Sequence, residues 1–319
     1  MIEIPDTNKI AEKYGYLPYM IDRYLDFLGL DGTIALLDAN KRPLTPSIRV
    51  NTLRIEPVKL KSRLEEKGFK LDPIECVSYG FKVDKSPLNL GSLHEFLQGY
   101  YYIQNVASMI PPVILNPSSE DVVIDMCAAP GSKSTQLAQI MNNEGKLILI
   151  EKNSKRIPAL EMNLRRMGVT NSIVLNDDAI NLPKFKFFPD MILLDAPCTG
   201  EGLIREDPTR KKSKSLKDIN KMAVIQKRLL KAGLDALKPG GQLLYSTCSI
   251  APEENEVVVN QVLQENADYS IIKIPFQYGV NGLTQVYGAK LMEDLKNSQR
   301  IYPHLHDTIG FFLCLIQKK

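Results

Sequence analysis

Two cysteines stand apart from the other three in this sequence. Cys198 closes Asp195-Ala-Pro-Cys and Cys248 closes Ser246-Thr-Cys, each in a turn directly after an apolar run. Cys76 and Cys314 sit inside strand-like apolar stretches and read as small core residues. Cys127 lies in a small-residue loop, where a structural role is expected. A thiolate can add to an electron-poor ring carbon, and a second thiol beside it can serve as a base. An acid can protonate or hydrogen-bond a ring nitrogen and favour that addition. Cytosine is a substrate that calls for all three. Its carbon 5 is a poor nucleophile until a thiolate at carbon 6 makes the ring enamine-like. It can then take a methyl group, after which carbon 5 must lose its proton. A free thiol has a pKa of about 8.5, so a cation or a helix start must assist. Lys133 is the local candidate.

These residues need strand ends to hold them. Val122-Val-Ile-Asp-Met-Cys-Ala-Ala-Pro-Gly-Ser-Lys-Ser-Thr135 reads as a strand, a tight ligand loop and a helix start with free N–H groups. From there strands and helices alternate. Strands are expected over 122–126, 146–150, 172–175, 191–194 and 242–245, and helices over 134–141, 156–167, 218–237 and 253–266. That alternation predicts an α/β fold with a mostly parallel, doubly wound sheet. Ligands in such sheets sit outside the carboxyl ends of the strands. Asp125 to Lys133, Glu151, Asp178, Asp195 with Cys198, and Cys248 all fall there. Glu151 is placed to accept hydrogen bonds from ribose hydroxyls. Asp178 could accept from an exocyclic amino group, with Asp177 as its rival.

The first third is organised differently. Helical spacing over 14–37 predicts one or two helices, broken near Gly29 and Gly32. A strand is expected over 47–54, a helix over 58–67 closed by Gly68, and a strand over 74–83 with a turn at Gly80. This is a small β-α-β unit, the size of a compact RNA-binding module. Asn116-Pro-Ser-Ser is turn chemistry near a domain division placed at 112/113.

The bulk numbers exclude some classes. Net charge is +3, so any nucleic-acid contact must come from a local patch. Five scattered cysteines without CxxC, and three histidines, argue against a metal site. The odd thiol count suggests a reducing compartment. The first nine residues lack the apolar core of a signal peptide, and the apolar 309–316 run is too short to span a bilayer. A cytoplasmic protein without membrane attachment, acting as a monomer, is expected.

At the thiol turns the sequence resembles the Nol/Nop/Sun family of S-adenosylmethionine-dependent RNA cytosine-5 methyltransferases. The matching stretches are Asp125-Met-Cys-Ala-Ala-Pro-Gly-Ser-Lys133, Asp195-Ala-Pro-Cys-Thr-Gly-Glu-Gly202, and Tyr245-Ser-Thr-Cys-Ser249 with Pro252-Glu-Glu-Asn-Glu256. Tyr102-Ile-Gln104 and Asp307-Thr-Ile-Gly-Phe-Phe312 also resemble family segments. The resemblance implies a Rossmann-like methyltransferase domain over 113–319. It further implies a small α+β, RRM-like RNA-binding domain over 1–112. It implies that Cys248 is the nucleophile, that Cys198 assists release, and that Asp195 contacts the target base with Lys133 beside it. Contacts to S-adenosylmethionine would come from Cys127, Ala128, Ala129, Pro130, Gly131, Ser132 and Lys133, then Glu151, Arg156, Asp178 and Asp195. Two departures are Ser132, where the family usually has a second Gly, and Thr308-Ile309, where an acid often precedes the Gly. No room is found for an added PUA-type domain.

The basic run from Arg205 to Lys231, with Arg210-Lys-Lys-Ser-Lys214, is the first candidate for RNA phosphates, and residues 42–54 are the second. Tyr100, Tyr101 and Tyr102 could stack on bases or pack between domains. The target base must leave its stack to meet a thiol, which points to loops or junctions as substrates. The short chain is similar to relatives that modify tRNA, with ribosomal RNA as the alternative substrate. A P-loop is excluded because Met126 stands where its first Gly is needed, and no G-x-G-x-x-G follows the first strand. An adenine-N6 methyltransferase would carry an aromatic after the Pro turn, where Cys198-Thr199 stands. A non-catalytic RNA-binding protein on the same fold is the reading from a different class, and the presence of both thiols argues against it.

Overall fold

The computed structural model describes residues 6–264 and 266–319. Expectations for residues 1–5, and for Glu265 near the end of the 253–266 helix, lie outside the described residues. Helix α1 (Thr7–Tyr14) starts on the Asp6 side chain, and α2 (Pro18–Ala39) kinks at Gly29, φ +67°. Then come β1 (Ser47–Val50), α3 (Pro57–Glu65), β2 (Lys70–Ile74), β3 (Val77–Lys85), α4 (His94–Leu97) and β4 (Tyr101–Ile103). The four strands form one antiparallel sheet in the order β2-β3-β1-β4. That is the βαββαβ arrangement of ferredoxin-like domains, of which the expected β-α-β unit is a part.

Three local expectations need correction. The 47–54 strand stops at Val50, because Asn51 turns the chain and donates to the Gly99 and Met167 carbonyls. The hairpin turns at Glu75 and Cys76, so Cys76 is a half-buried turn residue and not a strand residue. Gly80 lies inside β3, opposite Arg49. A Cβ there would come within 3.0 Å of Ile74 Cδ1 and 3.3 Å of Met109 Sδ, so the glycine serves close approach and not a turn.

The larger unit begins with α5 (Val106–Leu115), β5 (Val122–Asp125), α6 (Ser132–Ile140), β6 (Lys146–Ile150), α7 (Ile157–Met167) and β7 (Ser172–Leu175). It continues with β8 (Met191–Asp195), α8 (Leu216–Ala236), β9 (Gln242–Thr247), α9 (Glu256–Leu263), β10 (Tyr269–Ile272) and β11 (Val280–Asn281). The hairpin β12 (Gln285–Val286) and β13 (Ala289–Lys290) stands apart, and β14 (Gln299–Ile301), α10 (Pro303–His306) and β15 (Phe311–Lys318) follow. Strands β7-β6-β5-β8-β9 are parallel neighbours. Strands β15, β14, β11 and β10 join by antiparallel pairing. The nine-stranded sheet is therefore mixed rather than mostly parallel. The link from β14 to β15 is too short for a parallel crossover, which needs about a dozen residues or more.

The parallel strands are continuous apolar runs because both of their faces are covered. Ile124, Ile148, Ile192 and Leu194 pack with α8 and α9, while Val123, Leu147, Leu149 and Leu193 pack with α5, α6 and α7. The expected 253–266 helix breaks at Asn255, which leaves helical geometry to bond Thr247 and Ser249.

Two contacts tie the N-terminal elements to this sheet. The α1–α2 hairpin buries Tyr16, Met20, Tyr24, Leu36 and Leu37 against Ile204, Ile250 and Tyr302, behind the two thiol turns. The small sheet packs α3 and α4 on one face through Ile48, Val50, Phe81 and Val83. Its other face meets α6. There the fully buried Arg49 donates to Gln104 Oε1 at 2.9 Å, to Thr135 Oγ1 at 2.7 Å, to the Ser132 carbonyl at 3.3 Å and to Gln139. Tyr102 sits between Arg49 and Arg166, 5.8 and 5.3 Å from its ring centre. Tyr101 is fully buried with its hydroxyl on the Leu90 carbonyl. Of the two uses considered for these tyrosines, the structure shows packing.

Candidate active site

Strand order brings the polar strand ends together. β8 lies between β5 and β9, and Asp195 pairs in register with Ser246. Three residues beyond one and two beyond the other, Sγ of Cys198 and Sγ of Cys248 stand 3.1 Å apart, both thiols free. Beside them Lys133 Nζ donates to Asp195 Oδ2 at 2.6 Å, and Ser246 Oγ donates to Asp195 Oδ1 at 2.9 Å. Burial alone would pull the Lys133 ammonium down. The Asp195 charge and hydrogen bond outweigh it, with Cys248 adding, and the net shift is upward. The hydrogen bond to Cys248 and then burial push the Cys198 thiol well up. Either sulfur can donate to the other across this short contact.

A cavity of about 440 Å³ opens in front of these groups. Cys127, Ala129, Glu151, Arg156, Asp178, Asp195, Cys198 and Cys248 all line it. Lys133 reaches it through Asp195. Ala128, Pro130, Gly131 and Ser132 do not line it. Ala128 is packed in the core behind α6, and Pro130 is exposed with its carbonyl taking a hydrogen bond from Asn163. Gly131 carries the left-handed angle of the turn, φ +101°, and Ser132 is the first residue of α6, so the departure at 132 meets no backbone obstacle.

At the far end Glu151 accepts from the Ala129 and Asn153 N–H groups at 3.3 and 2.8 Å and pairs with Arg156 at 3.3 Å. Asp178 accepts from Ile180 N–H and Lys152 Nζ. Burial would raise its pKa, but those partners hold it low. Asp177 is turned inward, onto Asp178 N–H and Asn181, and does not line the cavity. Burial pushes the Cys127 thiol well up, in keeping with a structural role.

Sequence reasoning assigned no individual role to Asp125, Arg228 or Glu254. Asp125 ends β5 fully buried, accepts from Ser134 Oγ at 2.7 Å, and is pushed up to about 6, chiefly by burial. Its strand-end position was a usable signal. Arg210 and Arg228, from the run read as a candidate for RNA phosphates, also line the cavity. Glu254 matters most. This buried carboxylate accepts Thr199 N–H at 2.8 Å and Thr199 Oγ1 at 2.6 Å from the Cys198 turn. It also accepts Ser249 Oγ at 2.6 Å from the Cys248 turn and Gln226 Nε2 at 3.1 Å from α8. Its neighbours in the Pro-Glu-Glu-Asn-Glu run also hold the site. Glu253 and Glu201 take the buried Arg23 guanidinium at 2.7 and 3.0 Å, and Glu256 takes Arg300 at 2.8 Å.

The chain matches the family described as 16S rRNA methyltransferase RsmB/F over residues 112–317. This chain belongs to the RsmB/F methyltransferase family. Residues 17–106 also match the N-terminal domain of 16S rRNA methyltransferase RsmF. A tRNA (cytosine(49)-C(5))-methyltransferase from Pyrococcus abyssi is 39% identical over 279 residues, covering 87% of this chain and 89% of that protein. A 28S rRNA (cytosine-C(5))-methyltransferase from Mus musculus is 35% identical over 97% of this chain, which spans only 40% of that protein's length. Across the first four relatives the chain spans 38% to 52% of their length. The crystal structure of a methyltransferase homolog from Pyrococcus horikoshii superposes with a TM-score of 0.90 at 39% identity, covering 99% of this chain and all of that one.

Within the RsmB/F fold the approach of Gly202 to Gly310 frames the Cys248 turn. Gly202 N–H donates to the Cys248 carbonyl at 3.0 Å, and Gly310 N–H donates to the Gly202 carbonyl at 2.9 Å. A Cβ on Gly202 would lie 2.2 Å from the Gly310 oxygen. Gly202→Ala is expected to cost about 3 kcal/mol or more, since backbone must move. Thermal melting checks this, and an unchanged midpoint would contradict it.

Among the described residues no helix is long and apolar enough to cross a membrane, and no group of three metal-ligating side chains converges.

Proposed function

We propose that this chain transfers a methyl group from S-adenosylmethionine to carbon 5 of cytosine in RNA. The observation that carries the reading is the 3.1 Å sulfur pair on the wall of one cavity, beside the Lys133–Asp195 pair. The cavity's other end suits a nucleoside: Glu151 for ribose hydroxyls, Asp178 for an exocyclic amino group, and the Cys127–Ala129 backbone between them. When bound, S-adenosylmethionine would supply the electrophilic methyl group.

The protein's own groups do the rest. Cys248 adds as thiolate to cytosine carbon 6, forming a C–S bond while the ring electrons move toward carbon 5. The Cys198 sulfur at 3.1 Å and the Lys133–Asp195 pair are the groups that stand beside it. Asp195, fixed by Lys133 and Ser246, contacts the base edge and favours the addition. Once carbon 5 is methylated, its proton passes to the Cys198 sulfur acting as base, and the C–S bond breaks with its electron pair returning to Cys248 as the aromatic ring is restored. We assign Cys198 to that release. The small βαββαβ unit contributes to RNA binding. The division between it and the catalytic unit falls at α5, the helix that carries position 112. We take the protein to act as a monomer in the cytoplasm.

We propose tRNA as the substrate. Support comes from the Pyrococcus abyssi tRNA enzyme, 39% identical to this chain, against 35% for the mouse rRNA enzyme. The family description and the 35% identity to that enzyme favour ribosomal RNA as the second reading. Methylation of total RNA by the purified protein, followed by bisulfite mapping, tests the choice. Products confined to ribosomal RNA would overturn tRNA, and no 5-methylcytosine in any RNA would overturn the activity. Lys133→Met is expected to lower methyl transfer about 100-fold while changing cofactor affinity about threefold at most. Equal losses in single-turnover rate and in cofactor titration would reduce Lys133 to a loop residue.

A further inference from the structure

The two basic stretches of the sequence converge on one surface. Arg205 donates to the Arg42 and Pro43 carbonyls at 3.0 and 2.9 Å, fixing the chain after α2 against the segment after the Cys198 turn. Residues 211–214 lie along the α1–α2 hairpin. Leu17 N–H donates to the Lys211 carbonyl, Lys211 Nζ to the Tyr14 carbonyl at 3.3 Å, and Tyr19 OH to the Lys214 carbonyl at 3.0 Å. Cations crowd there. The ammonium groups of Lys13 and Lys41 stand 5.2 and 4.0 Å from the Tyr14 ring centre, and that of Lys211 is 5.0 Å from Tyr16. Burial and the like charge of Lys41 pull the Lys211 ammonium below its ordinary value.

Acids do not balance this patch. Asp38 is 3.4 Å from Lys41 and Asp207 is 3.2 Å from Arg210. Among the described residues Lys13, Arg42, Lys211, Lys212 and Lys214 have no carboxylate within 4.0 Å. Arg210 links the patch to the chemistry, since it donates to the Thr199 carbonyl at 2.8 Å and lines the cavity that holds both thiols. Uncompensated cations held by aromatic rings suit a polyanion, and their run toward the cavity gives that polyanion a direction.

We infer that the surface formed by the α1–α2 hairpin, residues 41–42 and residues 210–214 carries the sugar–phosphate backbone of the RNA strand flanking the target cytosine. The inference rests on the reading of the chain as an RNA methyltransferase. It adds where the strand runs and which cations neutralise it. Phosphates are neutralised along this rim, and the strand turns its target base past Arg210 into the cavity.

The test uses the full chain with four exposed lysines replaced together, Lys13→Ala, Lys41→Ala, Lys212→Ala and Lys214→Ala. Bulk tRNA is the probe, titrated from low to high salt. Each lost phosphate contact lowers the slope of log affinity against log salt by about 0.7–0.9. The expected result is a slope lower by about 3, at least tenfold weaker RNA binding at moderate salt, and a raised KM for RNA. The kcat at saturating RNA, the cofactor affinity and the melting temperature are expected to stay unchanged. A control carries Lys217→Ala, Lys221→Ala, Lys227→Ala and Lys231→Ala on α8. An unchanged slope in the first variant, or an equal loss in the control, would overturn this surface. A wild-type protein that neither binds nor methylates RNA would instead overturn the functional reading itself.

Discussion

Cys198→Ala is expected to trap the protein on its RNA. If Cys248 adds to cytosine and Cys198 serves release, removing only the second thiol leaves a methylated base joined to Cys248. A denaturing gel of the variant, incubated with tRNA and S-adenosylmethionine, should show a shifted protein–RNA band sensitive to ribonuclease. Turnover should fall by about 1000-fold or more, as for loss of a group the chemistry requires. Cys248→Ala should lose turnover to at least the same extent and show no band. Fold is not expected to confound either result, because both thiols are only partly buried and each replacement removes a single sulfur atom. A band with Cys248→Ala and none with Cys198→Ala would exchange the two roles. A band with neither would remove the covalent step.

The second large effect is expected at Glu254, which touches neither base nor cofactor pocket. Glu254→Ala strands four donors in a buried space: Thr199 N–H, the Thr199 and Ser249 hydroxyls, and the Gln226 amide. Leaving buried polar groups without partners costs about 1–3 kcal/mol each where water cannot reach them. A total of about 3–5 kcal/mol is expected once the hydroxyls find other acceptors. The thiol turns would then lose their common anchor, and methyl transfer should fall with stability. Glu254→Gln is the informative partner. Its amide oxygen can still accept from Thr199 N–H and Gln226, and its N–H groups can donate to the two hydroxyls, which accept as well as donate. Burial already pushes the Glu254 carboxyl up, so loss of its charge should be tolerated. Near-normal melting and activity in the glutamine variant, with loss of both in alanine, is the expected pattern. Normal activity with alanine would show that the turns align without it.

Much of this fold was legible because the parallel strands are uninterrupted apolar runs. Ser172–Leu175 matches its expected bounds, and the helix closed by Gly168 ends on a left-handed glycine as read. The later antiparallel strands were not legible. β11, β12 and β13 are two residues each, and β14 buries Gln299 and Arg300, whose polar character hides a strand. Arg300 is buried because Glu256, from another element, neutralises it. The site divides in the same way. Residue types at strand ends identified the thiols, Asp195, Lys133 and Glu151, since chemistry and topology spoke together. Glu254 escaped because an acid after a turn reads as solvated. Its burial depends on Thr199, Ser249 and Gln226, which are gathered only in three dimensions. Ala128, Pro130, Gly131 and Ser132 show the reverse, a conspicuous motif whose members shape the loop more than they face the cavity.

The Arg49 contact has a mechanical side. Domains of this βαββαβ shape that bind RNA commonly stack bases on the open side of the sheet. Here that side is welded to the first turn of α6, so nucleotides can meet the small unit only along its rim or its helices. The weld also makes the two units a lever. Any rocking of the small one would tug on the Ser132 carbonyl, at the first residue of α6, and so on the turn of helix that carries Lys133.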